Sequence, residues 1–340
     1  MAAVVHRFER RAMGSPLRLT VVDPASAIDP PTPPGAGARV STAEAAWALV
    51  SDEFEAAEQA MSRFRDTSDL SAVNRSAGSG WPIAVDRRLI RALVASDRAG
   101  RITEGRFDAR VLTDLERLGY RGADLATNGD DDAPDPAAAD RSDPAGHDRR
   151  WMCVDPRRHT VALDVPVDTG GIGKGLGLRW AWRALERGGL LATGAGALLE
   201  AGGDLVACGP SPDLGPWLVG VEDPLGRQEH LAVIGVERGA VTTSSVAIHR
   251  WATSDGRTVH HLIDPRTGEP GGDGLLAVTV AGPDPAWSEV WSKSLFLAGA
   301  RAIAGLARGR GLAAWWVRED GDLEMTPAAR ARTTWVSGED

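Results

Sequence analysis

The chain has 340 residues, 43% hydrophobic and 25% charged, enough for one large domain or two modest ones with an ample core. A net charge of −9 excludes a broad basic face for nucleic acid, while leaving room for a local cationic pocket. Its two cysteines, Cys153 and Cys208, lie far apart and form no C-x-x-C pair, so neither a disulfide framework nor a zinc site is indicated.

The opening residues, MAAVVHRFERRAM, carry charges from position 6 and lack the apolar core of a signal peptide. With no lipobox and no run of membrane-spanning length, the expected location is the cytoplasm. Residues 13–22, MGSPLRLTVV, read as a strand that runs into a Pro/Gly/Ala-rich loop over 23–40. AEAAWALVSDEFEAAEQAMSRF then places Trp47, Val50, Phe54, Ala57 and Met61 on one helical stripe, with Ser41 and Thr42 able to cap its start. A second helix is expected at 87–100, with Leu89, Ile90, Leu93 and Val94 inward. The stretch 123–150, rich in Asp, Pro and Ala without periodicity, reads as a solvated loop insertion. MCVDPRRHTVALDVP holds two short strands, and a helix at 174–187 opens from a glycine-rich segment. Further strands fall in ALLEAGGDLVACG, PWLVGVEDP, LAVIGVERGAVTTS and LLAVTVAG, followed by a helix over 286–308 and a last strand in LAAWWVRED. Strands and helices mix without strict βαβ alternation, so the fold class is α+β. Twelve tryptophans against one tyrosine supply flat apolar surface, chiefly for the core.

Five segments are candidates for chemistry. DTGGIGKGLG at 168–177 places Lys174 among glycines at a helix start, where dipole and ammonium both attract an anion. It is not a Walker loop, because Asp168 and Gly175 stand where that loop has Gly and Ser/Thr, and no G-x-G-x-x-G is present. The alternative is a tight strand-to-helix crossover whose glycines only solve a packing problem. VHHLIDPRTGEP sets His261 at a strand end before a turn, where a histidine serves either as a base or as a hydrogen-bonded structural residue. SRFRDTSDLSAVN at 62–74 and GRFDAR at 105–110 read as polar loops, each punctuated by an aromatic. Glu289 and Lys293, four apart, share one face of a helix that the Leu295-Phe296-Leu297 run marks as largely buried.

In their order, MGS at 13–15, SRFRDTSDLSAVN, GRFDAR, DTGGIGKG, AGGDL at 201–205, TTSS at 242–245, HLIDPRTG at 261–268 and SEVWSKSLF at 288–296 resemble the motif row of the ApbE family, the FAD:protein FMN transferases. The resemblance runs from about residue 10 to 317 and implies a single ApbE-like (T-fold-like) domain over 1–340, with mixed sheets and packed helices in two intertwined subdomains. The segments 23–40 and 123–150 would be flexible insertions in it.

The same resemblance implies the activity: FMN passes from FAD to a Thr or Ser hydroxyl of an acceptor protein, and AMP leaves. By analogy, Met13, Phe64, Arg106, Phe107, Asp108, Asp168 and Lys174 bind FAD, with Lys174 near its pyrophosphate, and His261 activates the acceptor hydroxyl. The family's Mg²⁺ ligands map to Gly171, Glu289 and Lys293. Lysine there stands where the family has threonine and is not a ligand type, so Mg²⁺ is expected with Lys293 replacing part of its charge. Phe64 replaces a tyrosine, Glu289 an aspartate, Arg110 the Thr of F-D-P-T and Ser245 the Gly of T-S-G. A hydrolase passing FMN to water and a non-catalytic FAD carrier are the rival readings.

Overall fold

The computed structural model describes residues 3–23, 42–120, 151–189, 194–247, 249–253 and 255–338. The chain begins with a hairpin of β1 (Val4–Ala12) and β2 (Ser15–Asp23), followed by α1 (Thr42–Met61), α2 (Asp69–Arg75), β3 (Ile83–Ala84) and α3 (Arg87–Ile102). A 3₁₀ turn (Ala109–Val111) leads into α4 (Leu112–Arg117), β4 (Met152–Asp155), β5 (Thr160–Leu163) and α5 (Gly173–Arg187). Then come β6 (Gly196–Ala201), β7 (Asp204–Cys208), β8 (Trp217–Glu222), β9 (His230–Val236) and β10 (Arg238–Ser245). Short β11 (Arg250–Ala252), β12 (Thr258–His260), β13 (Ile263–Asp264) and β14 (Glu269–Pro270) precede β15 (Leu275–Gly282). The last elements are α6 (Pro285–Leu297), α7 (Gly299–Gly309), β16 (Ala313–Arg318), β17 (Leu323–Met325), α8 (Pro327–Arg330) and β18 (Thr333–Val336).

One eight-stranded sheet, in the order β1-β2-β6-β7-β10-β15-β16-β17, is antiparallel at each pairing. Its strands alternate strictly because each face meets a different partner. Val206 and Cys208 of β7, with Leu17 and Leu19 of β2, pack under α1 and α5 against Val50, Phe54 and Leu178. The intervening Leu205 and Ala207, with Val241 and Trp315, face Trp217, Ile234 and Val236 on the other side. Those belong to a second antiparallel sheet, β18-β9-β8. Both faces of the large sheet are therefore covered. α6 lies on β10 and β15 and also touches α5. A separate core under α2, α3 and the small β3-β5-β4 sheet gathers Leu70, Leu89, Leu93, Val161 and Leu163 with Leu176 and Val290. It meets the sheet half along α5 and α6, and the site lies on that seam.

The stripe on α1 is as expected, with Val50, Phe54, Ala57 and Met61 buried and Trp47 half-buried. Four expectations need correction. Val94 of α3 is 47% exposed, not inward, because Ala92, Leu93 and Ser96 already fill the buried arc. The loop at 62–74 contains α2, capped by the Ser68 side chain on the Ser71 N–H. The single helix over 286–308 is two, because Gly299 takes φ +72° and ends α6. His261 sits just past the end of β12 rather than on it. The insertions at 23–40 and 123–150 fall outside the described residues, apart from Asp23. No helix among the described residues is long and apolar enough to cross a membrane.

Candidate active site

The glycine segment is anchored before its helix starts. The Asn74 side chain, ending the 62–74 motif, accepts from the Val167 N–H and donates to its carbonyl at 3.0 and 2.9 Å. Asp168 donates its N–H to the Ala109 carbonyl, and its carboxylate accepts the Gly170 N–H at 2.7 Å. Thr169 Oγ1 donates to the Met61 carbonyl at 3.0 Å. Three motifs distant in sequence thus converge on one turn. Two of its glycines are placed differently. A Cβ at Gly175 would lie 2.6–2.8 Å from the Pro285–Ala286 backbone, so Gly175 lets α5 and α6 touch. A Cβ at Gly171 would lie 2.8 Å from the Phe107 ring and 3.5 Å from Lys293 Cδ, on the wall of the pocket.

That pocket is lined by Phe64, Arg106, Phe107, Asp108, Tyr120, Asp168, Gly171, His261 and Lys293, with an apolar floor that includes Leu115 and Ile263. Eight of the eleven residues expected from sequence therefore share one cavity. Lys174 and Glu289 are outside the lining: Glu289 holds the lining Lys293, and Lys174 bears electrostatically on His261. Met13 does not line it. It turns the β1–β2 hairpin at φ +49°, with Gly14 at +72°, as a two-residue turn of that hand requires. Its N–H donates to Glu58 Oε2 at 3.0 Å, and its thioether packs behind the start of α5, 3.3–3.5 Å from where Cβ atoms on Gly173 and Gly177 would stand. Asp108 caps the 3₁₀ turn through the Arg110 N–H and holds the Arg110 guanidinium at 2.6 Å. The substituted Arg110 thereby stiffens the loop carrying Phe107.

Lys174, on the first turn of α5, places Nζ 3.2 Å from Asp204 Oδ2. Burial alone pulls this ammonium down, but Asp204 and Glu289 more than offset that and hold its pKa above the usual lysine value. Asp204 is itself buried and accepts the Thr243 N–H at 3.0 Å.

His261 lines the pocket. Its Nδ1 is buried and has no hydrogen-bond partner among the described residues. Burial, then the charges of His249, Lys293 and Lys174, hold its pKa well below the usual histidine value, so the ring is neutral at pH 7. The His249 ring stands edge-on at 4.8 Å, and Tyr120 stacks at 6.3 Å. His260, next in the chain, turns away against Phe296 and is pulled by burial down to about 4.

The three positions expected to hold Mg²⁺ do not form a divalent site as they stand. Glu289 Oε1 accepts Lys293 Nζ at 3.1 Å, and Oε2 accepts the Gly175 N–H at 2.8 Å. Both carboxylate oxygens are engaged, and an ammonium only donates. A dication 4 Å from that ammonium would meet roughly 8 kcal/mol of repulsion at the effective dielectric of such sites. Among the described residues no cluster of three His, Cys, Asp or Glu side chains is placed to hold a metal.

Sequence reasoning missed four residues here: Arg63, Tyr120, Asp204 and His249. Arg63 pairs with Asp168 at 3.2 Å and lies 4.2 Å over Phe64 and 5.1 Å over Tyr120, giving the half-exposed Phe64 ring a fixed place at the rim. Two of them were within reach. Arg63 and Asp204 fall inside quoted motifs, and Asp204 is the acid of the AGGDL run.

An α+β protein that sets a neutral histidine and two lysines around a pocket at a helix N-terminus has the equipment of an enzyme acting on a phosphate linkage. The chain belongs to the ApbE family, whose model matches residues 13–316. It is 26% identical to an FAD:protein FMN transferase of Klebsiella pneumoniae over 89% of this chain and 85% of that protein. Another protein of that name, from Treponema pallidum, is 30% identical over 74% of this chain and 70% of its own length. In fold it matches the ApbE protein of Thermotoga maritima with a TM-score of 0.76, at 23% identity, over 98% of this chain and all of the other.

Proposed function

We propose that this chain moves the FMN half of FAD onto a threonine or serine hydroxyl of an acceptor protein, with His261 as the general base. As an FAD:protein FMN transferase it takes FAD as its flavin donor and a protein as its acceptor. In the step itself, the acceptor oxygen attacks the phosphorus on the FMN side while His261 takes the hydroxyl proton. A new oxygen–phosphorus bond forms, the bond from that phosphorus to the bridging oxygen breaks, and AMP leaves with that oxygen. The neutral, unpartnered His261 in a pocket shared with Asp168, Gly171 and Lys293 is the observation that carries this reading.

Lys174, on the first turn of α5 where the helix dipole is positive, suits the pyrophosphate. Phe64, steadied by Arg63, offers a stacking face, and the Arg106–Asp108 loop extends the wall. Met13 contributes from behind, by fixing where α5 begins.

The test incubates the protein with FAD, with and without an acceptor domain, and follows AMP and covalent protein-bound flavin. AMP released only with acceptor, in step with flavinylation, supports transfer. AMP released equally without acceptor makes it a hydrolase, and FAD bound with no AMP makes it a carrier. His261→Ala is expected to slow transfer about 10²–10⁴-fold with FAD affinity nearly intact, and unchanged transfer would return His261 to a structural role.

A further inference from the structure

The family resemblance asks for a divalent cation where this chain has built an ammonium. Glu289 is almost fully buried, on the α6 turn that packs against α5. Its two oxygens are divided between the Lys293 ammonium at 3.1 Å and the Gly175 N–H at 2.8 Å. Lys293 is 16% exposed and reaches the pocket with its stem against Gly171, opposite the Phe107 ring. It bears electrostatically on His261, as Lys174 does. Lys174 in turn feels Glu289, so the carboxylate lies within the field of both ammoniums.

We propose that Lys293, positioned by Glu289, is the resident cation of this site and lets the chain hold the FAD pyrophosphate without a divalent metal. The inference rests on the FAD reading above and adds to it the source of the neutralising charge. A helix-borne ammonium is delivered at fixed distance from its carboxylate by the four-residue spacing. With one N–H held by Glu289, it brings its other two donors to phosphate oxygens, where a metal would bring empty coordination positions. It also brings one positive charge instead of two, with Lys174 as the second ammonium beside it. The glutamate, one methylene longer than the family's aspartate, then serves to aim the lysine rather than to ligate an ion.

The experiment measures FAD binding by calorimetry to wild type, Lys293→Thr and Lys293→Met, each in EDTA and in Mg²⁺. Mn²⁺ binding followed by paramagnetic resonance in the presence of FAD is the second readout. For wild type, the expected affinity in EDTA is within about twofold of that in Mg²⁺, with no tightly bound Mn²⁺. Both variants should bind FAD about ten- to a hundredfold more weakly in EDTA, the range of a lost charged hydrogen bond. Lys293→Thr, which restores an oxygen, should regain affinity with Mg²⁺ and bind one Mn²⁺. Lys293→Met fills the space without oxygen or charge and should regain less. Wild type that binds FAD only with Mg²⁺, or that holds one Mn²⁺ tightly, overturns the proposal while leaving the FAD reading intact. Failure to bind FAD in either condition overturns both.

Discussion

Two lysine–carboxylate pairs flank the pocket, and they are built differently. Lys174 reaches from the first turn of α5 across to Asp204 at the start of β7, a bridge between a helix and the large sheet. Lys293 and Glu289 are one turn apart on the same helix. The first pair joins elements that only the folded chain brings together, while the second exists wherever α6 is helical. Asp204 has the Thr243 N–H as its other partner, and Glu289 has the Gly175 N–H. The difference separates a pair that holds architecture and ligand at once from a pair free to specialise in charge.

If that distinction is right, removing the two lysines costs unequal stability. Lys174→Met leaves Asp204 buried at a helix–sheet junction with the Thr243 N–H but no cation, with an expected loss of about 3 kcal/mol by urea unfolding, the low end for a broken buried pair because Lys174 is 27% exposed. Lys293→Met leaves Glu289 with a backbone donor and the field of Lys174, so the expected loss is about 1–2 kcal/mol. Equal losses would erase the comparison.

A smaller effect tests whether backbone really holds Glu289. In Gly175→Ala the new Cβ meets the Pro285–Ala286 backbone at 2.6–2.8 Å, and backbone does not yield cheaply. The expected cost is about 2 kcal/mol of stability, after the helix preference of alanine offsets part of the overpacking. Gly171→Ala meets mainly the tip of the Phe107 ring, which can rotate aside, so stability should fall by about 1 kcal/mol or less. FAD affinity should fall more in Gly171→Ala than in Gly175→Ala, because only the first intrudes on the pocket wall. The reverse order would move the ligand away from the glycine segment.

Much of this was readable from local pattern. The α1 stripe follows the helical period, and the strands of the large sheet alternate because each face has its own core. The glycine segment and His261 were visible as candidates for chemistry, although each also fitted a structural role on local pattern alone. What did not show was whatever depends on distant pieces meeting. Tyr120 stacks on His261 from a position 141 residues earlier in the chain, and its neighbours give it no periodic or motif signal. His249 lies in a run, AIHRWA, whose residues follow neither period, and only the fold sets its ring against His261. The break at Gly299 went unread because a lone glycine inside a helical pattern is ordinarily tolerated. Lys293 was the opposite case: its odd chemistry was visible, but its hold on Glu289 needed coordinates.

The smallest effect returns to the two lysines through the histidine they both influence. His261 must be neutral to accept a proton, and its pKa in the fold lies below the usual 6.5. The acid limb of kcat should therefore lie below pH 6.5, with transfer still near maximal at that pH. Apart from burial, the causes rank His249 first, then Lys293, then Lys174. Removing any of them lets the His261 pKa rise, so the acid limb should move up in pH. His249→Gln should move it most, and Lys293→Met more than Lys174→Met. His249→Gln keeps a polar side chain of similar reach, so loss of packing alone would lower the rate at every pH and leave the limb in place. The two imidazoles stand 4.8 Å apart and titrate as a coupled pair, so the wild-type limb should also be broader than a single-group curve. A pH–rate profile for the four proteins, taken at saturating FAD, decides it. A limb that stays fixed in His249→Gln would remove His249 from the electrostatics of the base, and a larger shift in Lys174→Met than in Lys293→Met would reverse the roles assigned to the two pairs.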